Sequence, residues 1–264
     1  ALMTQFDISR TIFDEADAAL GEDFQQLIFE GPAEALTLTA NTQPAILTIS
    51  IVALRAFQEV CYVKPDFVAG HSLGEFSALV ANKTLAFEDG LTLVSKRAMA
   101  MQKACEAEPS TMAAILGLDN EIVEEVCAGI DDIVVPANYN SPGQIVISGS
   151  ISGIDKAVEQ LSARGAKRAL KLSVGGAFHS PLMEPAKTEL KTAIEETKFN
   201  KPICPVYQNV NAKAASDPQV IQENLVAQLV SPVKWTQSVL NMIADGADTF
   251  TEVGPGSVLQ GLIK

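Results

Sequence analysis

One tight turn constrains this chain more than anything else in it. Residues Ala69-Gly70-His71-Ser72-Leu73-Gly74-Glu75 lie between a short apolar run, Asp66-Phe67-Val68-Ala69, and a helical pattern carried by Phe76, Leu79, Val80 and Leu85. Gly-x-Ser-x-Gly between a strand and a helix is the pattern of a nucleophile elbow, whose small flanking residues permit a sharp turn that holds the serine hydroxyl out. The turn also sets Ser72 at a helix N-terminus, where unpaired backbone N–H groups and the helix dipole favour developing negative charge. The plain alternative, a serine that merely caps a helix, is weakened by the strand-turn-helix setting.

A nucleophilic serine needs a base, and the chain holds only two histidines, His71 and His179. His71 is the immediate neighbour of Ser72, so its side chain leaves the turn in another direction. His179, in Gly175-Gly176-Ala177-Phe178-His179-Ser180, follows a Gly-Gly pair and precedes Pro181, which suits a loop ahead of a helix. A lone histidine is more often structural than catalytic. With Ser72 as nucleophile, however, it is the usual activating partner.

The 264 residues allow one large domain, or a main domain with a smaller insert. A hydrophobic share of 47% supplies a core and argues against disorder. No run reaches the roughly 18 apolar residues of a membrane helix, and no basic-then-apolar leader opens the chain, so a cytoplasmic protein without membrane contact is expected. The net charge of −13 argues against nucleic-acid binding. An acidic partner would need a local basic patch, and Arg164, Lys167, Arg168 and Lys171 form the best one, although a solvated helix end and strand edge is the plainer reading. Cys61, Cys105, Cys127 and Cys204 are scattered without metal spacing and read as reduced thiols. No metal site is expected.

Taken in order, residues 5–20 read as a helix with Phe6, Ile8, Ile12, Phe13, Ala16 and Leu20 on its apolar face. A long apolar segment from Pro44 to Val63 reads as a buried helix, and Phe87 to about Ala107 as another, with Arg97 and Met101 one turn apart on a shared face. The character changes near Glu108-Pro109-Ser110. Strand Met112–Leu118, helix Asn120–Ala128, strand Ile133–Ala137, a turn over Asn140–Gly143, strand Gln144–Ser148, helix Ile151–Arg164 and strand Lys167–Leu172 then give the order βαββαβ, the ferredoxin-like arrangement. A helix over 181–197, a strand Ile203–Gln208, helices over 217–230 and 233–245, a strand Thr249–Val253 and a last helix after Gly254-Pro255-Gly256-Ser257 complete the reading. The fold class expected is α/β: an α/β-hydrolase-like parallel-sheet core over 1–108 and 176–264, with a ferredoxin-like small subdomain over 109–175.

Seven segments, in order along nearly the whole chain, resemble the malonyl-CoA:acyl-carrier-protein transacylases and the related acyltransferase domains of polyketide synthases. They are Thr42-Gln43-Pro44-Ala45, Gly70-His71-Ser72-Leu73-Gly74-Glu75, Lys96-Arg97 with Met101-Gln102, Asn138-Tyr139-Asn140-Ser141-Pro142-Gly143-Gln144, Phe178-His179-Ser180, Ala227-Gln228-Leu229 and Glu252-Val253-Gly254-Pro255-Gly256. The resemblance implies that Ser72 carries the malonyl group as an ester and that His179 moves the protons. It also implies that the backbone carbonyl of Gln228 orients His179 and that the N–H of Leu73 is one oxyanion donor. Arg97 would bind the malonyl carboxylate through its fork of donors. Gln43, Met101, Asn140 and Gln144 would stand near the substrate, and Phe178 would crowd an α-methyl branch.

The family opens with a strand and a Gly-Gln-Gly-Ser-Gln loop that supplies a second oxyanion donor. Here Ala1-Leu2-Met3-Thr4 already match the segment after that loop, and the family runs on past Lys264, so further residues at both ends are expected. The reaction implied uses malonyl-CoA and acyl carrier protein, no cofactor beyond the coenzyme A thioester, and a monomer. Two rival readings are a serine esterase or thioesterase and a docking domain of a larger polyketide-type synthase.

Overall fold

The computed structural model describes residues 2–21, 23–61 and 64–264. The chain begins with α1 (Leu2–Gln5), α2 (Asp7–Leu20), α3 (Phe24–Glu30), α4 (Ala33–Thr37) and α5 (Thr39–Val60). The helix expected over 5–20 is broken at Phe6, whose backbone is extended at φ −131° and ψ 116°. Asp7 then opens α2 with a negative charge where the helix dipole favours one. Helix α5 starts before Pro44, which lies inside it at the loss of one backbone donor. Its first turn is tied instead to α4, with Asn41 Nδ2 donating to Ala35 O (2.9 Å) and Thr42 Oγ1 to Leu36 O (2.6 Å). The expected end at Val63 lies outside the described residues.

After α5 come β1 (Val68–Ala69), α6 (Leu73–Ala81) and α7 (Phe87–Ala107). Helices α2, α5, α6 and α7 share one core in which Phe13, Leu47, Ile51, Phe76, Leu79, Leu91 and Val94 are buried. The middle of the chain then runs β2 (Ser110–Leu116), α8 (Asn120–Ala128), β3 (Val134–Ser141), β4 (Gln144–Ser150), α9 (Ile151–Ala163) and β5 (Arg168–Lys171). Its four strands form an antiparallel sheet in the order β3-β4-β2-β5. Ile115, Val123, Val126, Ile145, Ile147, Ile154 and Leu161 make a second core between that sheet and its two helices. Asn140 and Ser141, expected in a turn, stay in β3, and the reversal is left to Pro142 and Gly143, the latter at φ 72°.

The last part holds a short 3₁₀ turn (Pro181–Met183), α10 (Glu184–Glu196), β6 (Val206–Tyr207), β7 (Ala214–Ala215), α11 (Pro218–Gln228), α12 (Trp235–Ala244) and α13 (Val258–Ile263). The main sheet is far smaller than expected. β1 pairs parallel with β6, Val68 opposite Val206 and Ala69 opposite Tyr207, and β6 pairs antiparallel with β7. The strand expected over Ile203–Gln208 shrinks because Pro202 and Pro205 have no N–H to give and Asn82 claims the rest. Ile203 N donates to Asn82 O (2.9 Å) and Asn82 Nδ2 to Cys204 O (3.1 Å). The strand expected over Thr249–Val253 does not form. Phe250 packs beside Trp235 and Met242, and the Glu252 carboxylate accepts from the Leu259 and Gln260 N–H groups, so this segment caps α13.

Two contacts tie β3 to the segment before α12: Val233 N donates to Ala137 O (2.8 Å), and Tyr139 N to Val233 O (2.9 Å). They bring the end of β3 against the turn at Ser72. Among the described residues no helix is long and apolar enough to cross a membrane.

Candidate active site

The turn after β1 is forced into an uncommon shape. Ser72 has φ 53° and ψ −104°, outside the regions a serine ordinarily adopts, at a cost on the order of 1–3 kcal/mol. Gly70 makes the shape feasible, because a Cβ there would lie 2.0 Å from the backbone carbonyl of Gly74. Asn209 clamps the turn from the far side: Ser72 N donates to its Oδ1 (2.6 Å), and its Nδ2 donates to Gly70 O (2.7 Å). Helix α6 starts at Leu73, and among the described residues no acceptor meets the Leu73 N–H.

His179 stands in the loop between β5 and α10, itself at φ 57°. Gly176 lets that loop lie flat on α7, since a Cβ there would sit 2.0 Å from Cys105 Sγ. Ser110 Oγ accepts from Ala177 N (3.0 Å) and Ser180 Oγ donates to Ala177 O (2.6 Å), which fixes the approach. The ring then bridges two elements: Nε2 is 2.7 Å from Ser72 Oγ and Nδ1 is 2.9 Å from Gln228 O. A carbonyl only accepts, so Nδ1 carries the proton and Nε2 is left to accept from the serine hydroxyl. Burial first, and the Arg97 charge second, pull His179 down to about 3, so the ring is a neutral acceptor at neutral pH. His71 turns away, as expected. Its Nε2 lies 2.9 Å from Asn140 Oδ1 and its ring rests against Trp235.

Arg97 projects from α7 into the same place and is only 1% exposed. Nη1 donates to Gln43 Oε1, while Nη2 donates to Ser72 Oγ (3.1 Å) and Gln228 Oε1 (3.2 Å). Nε is buried and has no partner among the described residues. The guanidinium lies 5.3 Å from the Phe76 ring centroid. Burial lowers Arg97 to about 10, which still leaves it cationic at neutral pH. Its three hydrogen bonds all go to neutral oxygens, so among the described residues no carboxylate touches this buried cation, a setting that suits an anion. Gln43 is oriented in turn by Met101, whose Sδ accepts from Gln43 Nε2 (3.4 Å).

Ser72, Leu73, Arg97, His179, Gln228, Gln43 and Met101 therefore converge, and Asn140 joins them through His71. Phe178, in the same loop as His179, is partly buried against the helical core and against Met112, Ala137 and Val146 of the antiparallel sheet. Gln144 stands apart: it opens β4 opposite Leu116 and accepts from Ser141 Oγ (3.5 Å) within its own hairpin. Three members of the cluster were not singled out by the sequence reading. Glu75 accepts from Gln208 Nε2, Asn209 N and Gln228 Nε2 at 3.0, 2.8 and 3.1 Å. Glu75 was visible inside the elbow motif. Gln208-Asn209, a polar pair directly after an apolar strand, was the available signal for the other two.

The profile described as the acyl transferase domain matches residues 1–264. A malonyl CoA-acyl carrier protein transacylase of Bacillus subtilis is 46% identical, over all of this chain and 84% of that protein. The protein of the same name from Escherichia coli K12 is 43% identical, over all of this chain and 86% of its own length. Among solved structures, an acyl-carrier-protein S-malonyltransferase from Burkholderia pseudomallei superposes with a TM-score of 0.95 at 43% identity, covering 99% of this chain and 86% of that one. A malonyl-transacylase in complex with a type II polyketide acyl-carrier protein gives 0.96 at 40% identity, covering 99% and 85%.

Proposed function

The chain belongs to the acyl transferase domain family, and we propose that it moves a malonyl group from coenzyme A to the phosphopantetheine thiol of an acyl carrier protein through an ester on Ser72. One observation carries the choice of acyl group: Arg97 Nη2 lies 3.1 Å from Ser72 Oγ, and among the described residues Nε has no partner and no carboxylate is bound to the guanidinium. A carboxylate two bonds beyond a carbonyl at Ser72 would meet that cation.

In the first half-reaction His179 Nε2 takes the Ser72 proton as Oγ attacks the thioester carbonyl. The Leu73 N–H faces the developing oxyanion. When the carbon–sulfur bond breaks, the imidazolium returns its proton to the departing thiolate, leaving malonyl-Ser72 and free coenzyme A. In the second half, neutral His179 takes the proton of the carrier thiol, the thiolate attacks the ester, and the proton passes back to Ser72 Oγ. Gln228 O holds Nδ1–H throughout, so a backbone carbonyl fills the place that a carboxylate takes in other triads. Phe178 would crowd an acyl α-methyl branch, and Gln144 would act only if the hairpin shifted toward the acyl chain.

The order βαββαβ and the strand order β3-β4-β2-β5 support a ferredoxin-like subdomain over 109–175. The β1-turn-α6 unit supports an α/β-hydrolase-like core over 1–108 and 176–264. A cytoplasmic setting fits the free thiols of Cys61, Cys105, Cys127 and Cys204.

The test is intact-protein mass after brief exposure to malonyl-CoA or acetyl-CoA. Wild type should gain one malonyl group and little acetyl, and Ser72→Ala should gain neither. Arg97→Ala should lose the malonyl preference by about a hundredfold or more, because a charged hydrogen-bonded pair is removed. Added carrier protein should take the group onto its own thiol. Release to water instead would make the protein a thioesterase.

A further inference from the structure

Among the described residues, Glu75 is a fully buried carboxylate, at 0% exposed, that the steps above do not use. Oε1 accepts from Gln208 Nε2, and Oε2 from the Asn209 backbone N–H and from Gln228 Nε2. All three neighbours are donors, the set that suits an ionised carboxylate and leaves no acceptor for an acid proton. Burial is the largest influence and leaves the carboxyl raised above its ordinary value, while those donors and the Arg97 charge oppose the shift.

The position of Gln228 between the two charges is what matters. Its Oε1 accepts from Arg97 and its Nε2 donates to Glu75. Nε2 also donates to Ser72 O (3.1 Å). A primary amide has one orientation that serves a cation on one side and acceptors on the other, so Arg97, Glu75 and Ser72 O together set the flip of Gln228. Gln228 O is also the acceptor for His179 Nδ1. The Glu75 carboxylate holds Asn209 as well, and Asn209 clamps Ser72 N and Gly70 O.

We propose that Glu75 is a positioning residue for acyl transfer: through Gln228 and Asn209 it aligns His179, Ser72 and Arg97 at once, and it balances the Arg97 charge from one amide away. A carboxylate in direct contact would occupy the guanidinium and compete with an incoming acyl carboxylate. No negative charge at all would leave a buried cation unbalanced. The amide spacer avoids both.

The inference rests on acyl transfer through Ser72, and its test separates the two. Single-turnover acylation by malonyl-CoA and by acetyl-CoA is measured on the full-length protein for wild type, Glu75→Gln, Gln228→Ala and the double variant, per folded molecule. Glu75→Gln keeps the size but sets an NH₂ group against donors. It should slow malonyl acylation about tenfold to a hundredfold and lower the malonyl-to-acetyl ratio. The double variant should be slower than either single, but by clearly less than the product of the two losses, because both act through one network while Asn209 carries part of the Glu75 effect. A purely structural role would reduce the folded fraction and leave rate and ratio unchanged, which would overturn the proposal, as would effects that multiply in the double variant. Should Glu75→Gln not fold, Gln208→Met replaces it, since Gln208 meets Glu75, Ile221 O and Asn224 but none of the reacting groups. A few-fold loss that disappears in the Gln228→Ala background supports the proposal; an equal loss in both backgrounds overturns it. A wild-type protein that forms no malonyl adduct overturns the acyl-serine reading itself, and this inference with it.

Discussion

His179 shows how burial, helped by a neighbouring cation, can set a working protonation state. An ordinary histidine near 6.5 would be half cationic on the acid side of neutrality, and a cation cannot accept the serine proton. Here burial and then Arg97 bring the ring to about 3. The single-turnover rate of Ser72 acylation should therefore stay flat through pH 6.5 and fall only as pH approaches the depressed value; an inflection near 6.5 would show the ring to be more solvated than the structure has it. The sign for stability is the same. A folded value below the unfolded one contributes stability that is complete above 6.5 and is lost as pH falls toward about 3, so the profile needs reaction times shorter than acid unfolding. Ser72 and His179 were legible because a motif and a scarcity of histidines point to them, and Arg97 and Gln228 through the family resemblance. Glu75 and Asn209 were not given roles, because they meet across 134 positions of sequence and no local pattern records such a contact.

At the scale of elements, the site depends on how closely β1 and α6 approach at their junction. Gly70→Ala places a methyl 2.0 Å from the Gly74 carbonyl, which is helix backbone and cannot swing aside, whereas a Cβ at Gly74 meets nothing within 4 Å. Gly70→Ala should cost about 1–3 kcal/mol or more and slow acylation with it, while Gly74→Ala should be near neutral; thermal melts and adduct formation on the two variants check this. Helices were readable where one face is apolar and the ends are marked, and Asn120–Ala128 has the bounds its periodicity implies. Strands were less so. Thr249–Val253 has strand composition, but a strand is made by its neighbour, and Glu252 is occupied with α13. Pro44 misled in the other sense: proline favours a helix start, yet α5 begins at Thr39 because Asn41 and Thr42 anchor that turn to α4.

For the whole molecule, a net charge of −13 makes approach by another acidic protein unfavourable except at a local patch. Of the basic run, Arg164 is paired with Glu125 (2.8 Å) and Lys171 with Asp155. Lys167 and Arg168 have no ion-pair partner among the described residues; Arg168 begins the edge strand of the four-stranded sheet and Lys167 immediately precedes it. Reversing both charges should raise the KM for an acidic carrier protein about tenfold at low salt and leave malonyl loading from coenzyme A unaltered; steady-state kinetics with each substrate varied in turn would show it. The arrangement of amides around Ser72 has a consequence of its own. Gln43, Gln228, Asn209, Gln208 and Asn140 supply donors and acceptors without ever gaining or losing a proton. The charge of the cavity is therefore the same before and after each acyl group enters, and the only quantity that varies is the charge the visitor brings. With Glu75 held one amide away, the Arg97 guanidinium is the one charge within direct reach of the visitor: an acyl group that carries a carboxylate can pair with it, and an uncharged one leaves its donors idle.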